Sequence, residues 1–301
     1  IKIIGNNEFT PENRVSGGSG TESDPYIIEG LEIDAKGGEY GIWIQDTDAY
    51  FIIRNCIIKN TTDYGEGIYF NNVTNGRVEN NTVLNNYYGI YLYKSSDNIL
   101  INNTALDNSN AGIYLAYSSN NTLTNNNASN NSWQGIILSD SSNNIITNNT
   151  VLNNRQGIRL IDSIHNSIIN NTAKDNWEYD IGVSPFELDT ACDNIVENNI
   201  GSGERPIKYF NHSVNLQDEI LSKLILCNAD NSHISNVTIS GSEVVNNNGL
   251  ILVMTDNSTF EKVYSYNNYY GIYLRDSTNN TIRDSIFANN KYGINLVSRT
   301  R

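Results

Sequence analysis

A glycine recurs along this chain at a nearly constant interval, and this repeat constrains the fold more than any other feature of the sequence. From Gly67 onwards it returns at intervals of 22, 23, 23 and 22 residues, and a second series beginning at Gly249 has two intervals of 22. An aliphatic, a variable and an aliphatic residue follow each glycine, as in Ile68-Tyr69-Phe70. This alternation is typical of a β-strand with one buried face. A short strand repeated at this period predicts a solenoid.

Two further columns of the repeat carry the rest of each turn. An apolar position lies eleven residues after the glycine, beginning with Val78, and predicts a second strand. Nineteen residues after the glycine, all seven repeats that can be followed carry asparagine: Asn86, Asn108, Asn131, Asn154, Asn176, Asn268 and Asn290. Stacked asparagine amides can donate and accept hydrogen bonds along such a column. The chain holds 53 asparagines, which are poor helix formers, so a mainly helical protein is excluded.

These columns predict an all-β fold, a right-handed parallel β-helix of about 11 to 12 coils of about 22 residues each. We interpret residues 1–301 as a single β-helix domain. Residues 1–25 are predicted to form an N-terminal cap, and residues 184–223 to form irregular coils with loop insertions. The coil that starts at Gly293 has too few residues for a full turn. We therefore expect either a longer polypeptide or an end-to-end contact with another copy.

Charge and composition exclude several classes of partner. The net charge is −14, which argues against nucleic acid, because phosphate contacts need clustered cations. No apolar run approaches the roughly 18 residues of a membrane-spanning helix, so no such segment is predicted. Cys56, Cys192 and Cys227 lie far apart in the sequence. They suggest neither a disulfide-rich scaffold nor a zinc site, and we expect them to fill core or turn positions.

The glycine, aliphatic and double-asparagine spacing resembles the pectin-lyase-like β-helix repeats of the periplasmic copper-binding family associated with nitrous oxide reductase maturation. It resembles archaeal cell-surface relatives of that family more closely, with residues 20–30 and 206–210 similar to their recurrent segments. The resemblance covers nearly the whole chain and implies export to an extracellular or cell-surface location. Function does not follow from it, because the same repeat serves carbohydrate-active enzymes, sugar-binding modules and surface-layer proteins.

Metal and cofactor chemistry has little support in the sequence. Copper sites use clustered Met, Cys or His, whereas Met254 stands alone and His165, His212 and His233 fall in different coils. We therefore predict no copper, no other metal centre and no cofactor. The exception is calcium, which a cluster of acidic residues near the break in the repeat could bind. That cluster, which also serves as the candidate catalytic group, is Asp175, Glu178, Asp180, Glu187 and Asp189. A solvated loop is its alternative, and no catalytic residue is assigned.

Aromatic residues occupy the outward position two residues after the glycine in several coils. They are Trp43, Tyr69, Tyr91, Tyr114 and Tyr273. Such a column can contact a glycan or another subunit, or can simply stabilise the sheet by cross-strand stacking. Sequons that could carry glycans include Asn60, Asn127, Asn211 and Asn257, although the repeat itself generates several Asn-Asn-Thr sequons.

Our leading hypothesis from sequence is a non-catalytic structural protein of the cell envelope, as a surface-layer, filament or adhesion component. Its partners would be other copies of itself or neighbouring envelope proteins. One alternative is a carbohydrate-binding module that uses the aromatic face, with glycans as partners. The other is a polysaccharide lyase or epimerase that acts at the break in the repeat.

Overall fold

The computed structural model describes residues 1–185 and 189–298, except for the side chain of residue 189. It is an all-β solenoid of about 12 turns, as predicted. Helix is confined, among these residues, to single 3₁₀ turns at Asn6–Glu8, Pro11–Asn13, Asp189–Cys192 and Ser202–Glu204. None of the described helices is both long enough and apolar enough to span a membrane.

Each of the early turns consists of three strands, and each strand pairs in parallel within a different sheet. Strands are numbered in chain order. Sheet I contains β1 (Lys2–Ile4), β4 (Tyr40–Thr47), β7 (Glu66–Val73), β10 (Tyr88–Tyr93), β13 (Ile113–Ala116), β16 (Gln134–Ser139), β19 (Gln156–Ile161) and β22 (Tyr179–Ser184). Sheet II contains β2 (Tyr26–Glu29), β5 (Phe51–Arg54), β8 (Gly76–Glu79), β11 (Ile99–Ile101), β14 (Thr122–Thr124), β17 (Ile145–Thr147), β20 (Ser167–Ile169) and β23 (Ile195–Glu197).

Sheet III runs through the whole molecule. It contains β3 (Glu32–Asp34), β6 (Ile57–Lys59), β9 (Thr82–Leu84), β12 (Thr104–Leu106), β15 (Asn127–Ser129), β18 (Thr150–Leu152), β21 (Thr172–Lys174), β24 (Asn199–Ile200), β25 (Pro206–Phe210), β28 (Lys223–Cys227), β30 (Gly249–Val253), β32 (Tyr270–Arg275) and β35 (Tyr292–Val297). Sheet IV contains β26 (Asn215–Gln217), β27 (Ile220–Leu221), β29 (His233–Ser240), β31 (Thr259–Tyr266), β33 (Thr281–Arg283) and β34 (Ile286–Ala288).

Strand direction reverses once within sheet III. The pair β24–β25 is antiparallel, with Asn199 opposite Ile207 and Ile200 opposite Pro206, whereas the other described pairs of this sheet are parallel. The reversal divides the solenoid into a first stack of coils, which ends at Ile200, and a second stack, which starts at Pro206. Gly67 and Gly249, which align in the sequence, consequently lie in sheets I and III. The single-domain assignment of residues 1–301 is not tested by this geometry and stays a prediction.

Each stack has its own apolar core. Leu224, Leu250 and Phe260 belong to the core of the second stack, while the core of the first stack extends from Ile3 to Val183 and beyond. At the near end of the first stack, Phe9 packs against Tyr26 with ring centroids 4.7 Å apart and helps to close that core. At the far end, residues on the outer face of the second stack join the first core: Ile207, Tyr209, Ile225, Cys227 and Val253. The second stack therefore covers the open end of the first.

A disulfide joins the two stacks at this end. Cys192, in the 3₁₀ turn after β22, is bonded to Cys227 on β28, and the Tyr209 hydroxyl donates a hydrogen bond to the Cys192 carbonyl. Both cysteines fill core or turn positions as expected, but they are bonded to each other and not free. The two cysteines are 35 positions apart in the sequence, and nothing local to either one indicated their proximity. Cys56 is a buried free thiol, as expected.

The predicted asparagine ladder is present and buried. Asn131 Oδ1 accepts bonds of 3.0 and 2.9 Å from the backbone and side-chain nitrogens of Asn108, and Asn131 Nδ2 donates to Asn154 Oδ1 at 3.1 Å. A parallel ladder includes Asn103, Asn126 and Asn149. A third, not identified from sequence, contains Asn98, Asn121, Asn144, Asn166 and Asn194. Because each amide satisfies backbone groups of neighbouring coils, the ladders fix the coil register.

Candidate functional site

Four of the five predicted aromatic residues come together on the outer face of sheet I. Strand register places Trp43, Tyr69, Tyr91 and Tyr114 directly above one another. The rings of Tyr69 and Tyr91 stack at 5.2 Å between centroids, and those of Tyr91 and Tyr114 at 4.8 Å. The ring faces therefore cover one another, and this column presents mainly ring edges and hydroxyl groups to solvent.

Glu66 lies beside this aromatic column, three residues before Tyr69 on β7, and is opposite tyrosines on both neighbouring strands. Its strand neighbours are Tyr40 on one side and Tyr88 on the other. Burial among these rings raises the pKa of Glu66 to about 7. Burial also raises the pKa of Tyr69 to about 12 and raises that of Tyr91. This part of the outer face of sheet I is thus an aromatic stack with a titratable carboxyl group beside it.

The fifth aromatic residue, Tyr273, lies elsewhere. It is on β32 in the second stack, where its ring is 5.0 Å from that of Tyr270 and lines a cavity between the stacks. This placement follows from the strand reversal, which moves the second glycine series out of sheet I.

The predicted acidic cluster does not form one carboxylate site among the described residues. Asp175 accepts a hydrogen bond from the Ser242 hydroxyl, at 2.5 Å. Glu178 pairs with Arg155 at 2.7 Å. Asp180 is fully buried at the junction of the stacks. Glu187 and the side chain of Asp189 lie outside the described residues.

Asp180 is surrounded by donors from both stacks. Its Oδ1 accepts from the backbone and side-chain nitrogens of Asn176 at 3.3 and 3.0 Å and from Asn247 Nδ2 at 3.1 Å. The donors to its Oδ2 are Ser202 N at 2.9 Å, Ser202 Oγ at 2.7 Å, Asn248 Nδ2 at 2.7 Å and Ser222 Oγ at 3.5 Å. Burial raises the Asp180 pKa, and these hydrogen bonds lower it. This carboxylate acts as the connector of the junction.

Within the described residues, no three His, Cys, Asp or Glu side chains are grouped so that they could hold a metal ion. Calcium binding stays a prediction. Of the predicted glycosylation sites, Asn257 is exposed, whereas Asn60, Asn127 and Asn211 are half-buried. Glycosylation at any of the four is untested.

A cavity of about 170 Å³ lies between the outer face of sheet I and the outer face of the second stack. Side chains from β19 and β22 form one wall, and those from β28, β30 and β32 form the other. The charged and aromatic residues that line it are Arg159, Glu178, Tyr179, Lys223, Tyr270, Tyr273 and Arg275.

Lys223 is the most unusual residue of this cavity. It is 2% exposed, and its Nζ lies 4.5 Å from the centroid of the Tyr179 ring. Burial lowers its pKa to about 7, opposed by the nearby charge of Asp180. Burial also raises the pKa of Tyr179, so that its hydroxyl stays protonated.

A larger and more open cleft of about 540 Å³ adjoins this cavity, and Glu178 lines both. From the first stack, the cleft is lined by Asn130, Asn153, Arg155 and Trp177, among others, and from the second by Tyr269 and Lys291. Trp177 is 68% exposed. We found no ring or cation contact to its indole from the part of the chain that the structure describes.

The charge of this region is opposite to that of the protein. The chain has 33 acidic and 19 basic residues. Yet the described lining of the cavity and cleft holds the cationic Arg155, Arg159, Lys223, Arg275 and Lys291 against the single carboxylate of Glu178. A concave, cationic, aromatic-lined space is a common form of ligand site.

Sequence reasoning missed most of this lining. Lys223 gave a usable signal, because it is the one charged residue of the otherwise apolar strand Lys223–Cys227. Trp177 and Lys291 gave none, since each occupies a turn and they meet only through the packing of the two stacks.

The family model described as right handed beta helix region matches residues 15–173 and 207–300. The chain belongs to this right-handed β-helix family. The two matched segments flank the strand reversal at residues 199–207. The finer resemblance to the periplasmic copper-binding family is not confirmed by this match. No curated protein gives a significant match to this β-helix chain.

Several solved structures resemble this β-helix protein at low sequence identity. The catalytic domain of a GH87 α-1,3-glucanase is 17% identical with a TM-score of 0.48, over 91% of this chain and 64% of that one. The A-module of the Azotobacter vinelandii mannuronan C-5 epimerase AlgE6 is 14% identical with a TM-score of 0.45, over 86% of this chain and 64% of its own. Pectate lyase Pel9A is 13% identical with a TM-score of 0.45, over 95% and 78%. This chain therefore spans less than two thirds of the glucanase domain and of the epimerase module.

Proposed function

We propose that this β-helix protein is a non-catalytic, saccharide-binding component of the cell surface, and that it binds its ligand in the cleft between the two stacks. The observation that carries the proposal is the exposed indole of Trp177 on the wall of a cleft of about 540 Å³. Cavities of roughly 300 to 1,000 Å³ are typical of small-ligand sites. We assign saccharide binding to this cleft and not to the aromatic face of sheet I, because the rings of that face cover one another.

The polar groups of the cleft suit a sugar. Asn130 and Asn153 contribute side-chain amides, which can donate to and accept from hydroxyl groups. Arg155 is held in place by its ion pair with Glu178 and by the Trp133 ring, whose centroid is 4.1 Å from the guanidinium carbon. An aromatic ring face beside fixed polar donors is the combination that binds a sugar's apolar face and its hydroxyl rim.

An extracellular or cell-surface location is part of this proposal. The Cys192–Cys227 disulfide supports it, because disulfides persist mainly in oxidising compartments. Association with copies of itself or with other envelope proteins, as surface-layer or filament components do, also remains a proposal.

Binding can be tested on a glycan array with the purified 301-residue chain, its Trp177→Ala variant and a control, Tyr64→Ala. Tyr64 is 79% exposed and is absent from the cleft lining, so it controls for the loss of a surface aromatic ring. We expect Trp177→Ala to lose glycan binding and Tyr64→Ala to retain it. Equal binding by all three proteins would contradict the cleft as the binding site.

A polysaccharide lyase or epimerase is the second candidate function. The specific observation in its favour is Lys223, whose pKa of about 7 allows the neutral amine to act as a base near neutral pH. Incubation with uronate polymers, followed by ultraviolet absorbance for unsaturated products and NMR for epimerised units, separates this candidate from a binding protein. Turnover that Lys223→Met abolishes would favour the enzyme.

A further inference from the structure

We propose that the cavity between the stacks is a subsite for one anionic group, a carboxylate or sulfate ester, carried by the saccharide that occupies the adjoining cleft. This inference rests on the proposed function and deepens it by naming the ligand class as acidic saccharides. It is carried by the buried Lys223 and the half-buried Arg159, which line the cavity and form no described ion pair.

Lys223 is the first of these cations. The residue is 2% exposed, and its described contact is the face of Tyr179, at 4.5 Å from Nζ to the ring centroid. No described carboxylate lies within ion-pair distance, and no described acceptor makes a hydrogen bond to Nζ. A buried ammonium group without an acceptor destabilises the protein unless a ligand or solvent compensates it. A ligand anion in the cavity would supply that partner.

Arg159 is the second cation. Its Nη1 donates to Gln156 Oε1 at 3.0 Å, whereas its Nε is buried and has no hydrogen-bond partner among the described residues. A guanidinium with an unsatisfied N–H is suited to bind a planar or tetrahedral oxyanion. Arg275 also lines the cavity and donates through Nη2 to the Pro185 carbonyl. Positive charge therefore enters the cavity from both stacks.

The carboxylates of Glu178 and Asp180 accept hydrogen bonds from other residues, and that of Asp276 lies 3.9 Å from Arg275 Nε. Glu178 accepts from Arg155 Nε at 2.7 Å and from Gln156 Nε2 at 2.5 Å. Asp180 is held by amide and hydroxyl donors of the junction, and it forms no described ion pair with Lys223. Neither Glu178 nor Asp180 forms a described ion pair with Lys223 or Arg159, so an added anion would find the Lys223 ammonium group and Arg159 Nε as donors.

The dimensions limit what can enter. A cavity of about 150 Å³ accommodates a single benzene ring, and this one is about 170 Å³. It therefore has room for an anionic group and the sugar-ring atoms next to it, not for a chain of sugars. The remaining sugars would extend into the open cleft, which shares Glu178 with the cavity.

Titration calorimetry with three monosaccharide probes tests the subsite: sodium glucuronate, glucose 6-sulfate and glucose. The proteins are the full chain, Lys223→Met, Arg159→Gln and the control Lys94→Met. Lys94 is an exposed lysine absent from the lining of cavity and cleft. Methionine has nearly the length of lysine without its charge, so Lys223→Met keeps the packing, and Arg159→Gln tests the site independently if the first variant does not fold.

We expect an acidic probe to bind the full chain at least about tenfold more tightly than glucose, because a desolvated charge-assisted hydrogen bond is worth that much or more. Lys223→Met and Arg159→Gln should each remove this preference, and Lys94→Met should keep it. Binding of glucuronate alone identifies a carboxylate site, and equal binding of glucose 6-sulfate identifies an oxyanion site of either kind. No preference of the full chain for either acidic probe overturns the inference.

The failure of this inference is distinguishable from that of the proposed function. If Trp177→Ala loses glycan-array binding while Lys223→Met retains the full preference for acidic ligands, the cleft proposal stands and the anion subsite is wrong. If Lys223→Met loses glucuronate while Trp177→Ala leaves array binding intact, the subsite stands and the cleft proposal is wrong.

Discussion

Replacing Asp180 by Asn should weaken the junction that shapes the site. The carboxylate is fully buried and its described contacts are all with donors, from Asn176 of the first stack and from Ser202, Ser222, Asn247 and Asn248 of the second half of the chain. An asparagine of the same shape must turn its NH₂ group towards the donors of one carboxylate oxygen or the other. Either orientation places donors against donors.

The size of the effect follows from which donors lose their described acceptor. On the Oδ1 side, Asn176 Nδ2 keeps a bond to the Val151 carbonyl at 3.0 Å, and Asn247 Nδ2 keeps one to Ser202 Oγ at 2.9 Å. The backbone N–H of Asn176 keeps none among the described residues. One orphaned buried N–H costs about 1–3 kcal/mol, and exchanging charged for neutral hydrogen bonds adds to it. Removal of the buried charge offsets part of this cost, so we expect about 3 kcal/mol of destabilisation.

Thermal and urea unfolding of the full chain measure this change. About 3 kcal/mol corresponds to a fall in Tm of about 5 °C for a chain of this length. Hydrogen exchange should also accelerate at Asn176, whose N–H donates to Asp180 Oδ1 at 3.3 Å and loses this acceptor. The control is Asp107→Asn, an exposed residue at φ 53°, where asparagine is well tolerated and a change within about 0.5 kcal/mol is expected. Unchanged Tm and unchanged exchange in Asp180→Asn would refute the role of this carboxylate.

Two other predictions concern the first stack. Asn131→Leu should lower the free energy of unfolding by about 3 kcal/mol or more, because the Asn108 N–H loses its described acceptor. The control Asn71→Leu, on the outer face of β7, should change it by less than about 0.5 kcal/mol. Similar urea midpoints for the two variants would show that the ladder does not contribute to stability. Glu66 has a pKa of about 7 in the folded protein, against an ordinary value of 4.5. Its protonation therefore stabilises the folded protein fully below about pH 4.5, and this stabilisation is lost as the pH rises through about 7. Between pH 4.5 and 7, the Tm should fall more steeply with pH for the unsubstituted protein than for Glu66→Gln. Parallel plots of Tm against pH would show that Glu66 does not have a raised pKa.

The parts of the fold that were predictable are those that repeat. The strand after Gly67, the apolar column at Val78 and the asparagine column through Asn131 each recur once per coil, so the sequence displays their stacking directly. A ladder also requires an amide in every turn, whereas an ordinary surface position accepts any polar residue, so the two can be told apart in the sequence. The third ladder, through Asn121, repeats with the same period and could have been identified by the same comparison of coils.

The junction could not be predicted because its contacts occur once. Asp180 and Asn248 are 68 residues apart, and Cys192 and Cys227 are 35 apart. No periodicity relates the members of either pair. The reversal at β24–β25 is equally hidden, since the strands after Gly249 have the same local pattern as those after Gly67 and only their partners differ.

The reversal also explains why a ligand site exists at this place. The outer face of an isolated coil stack is a regular surface, and in this protein its aromatic column is covered by its own stacking. A concave site needs a second wall. By turning back at residues 199–207, the chain places the outer face of β28, β30 and β32 against the end of sheet I, and Lys223 and Arg159 come to line one cavity. The donors of the Asp180 network and the Cys192–Cys227 bond hold the two walls together. Lining residues that belong to neither apolar core, such as Arg159 and Tyr273, can therefore vary and change the ligand, whereas Ile225 and Val253 on the same wall also pack in the core of the first stack.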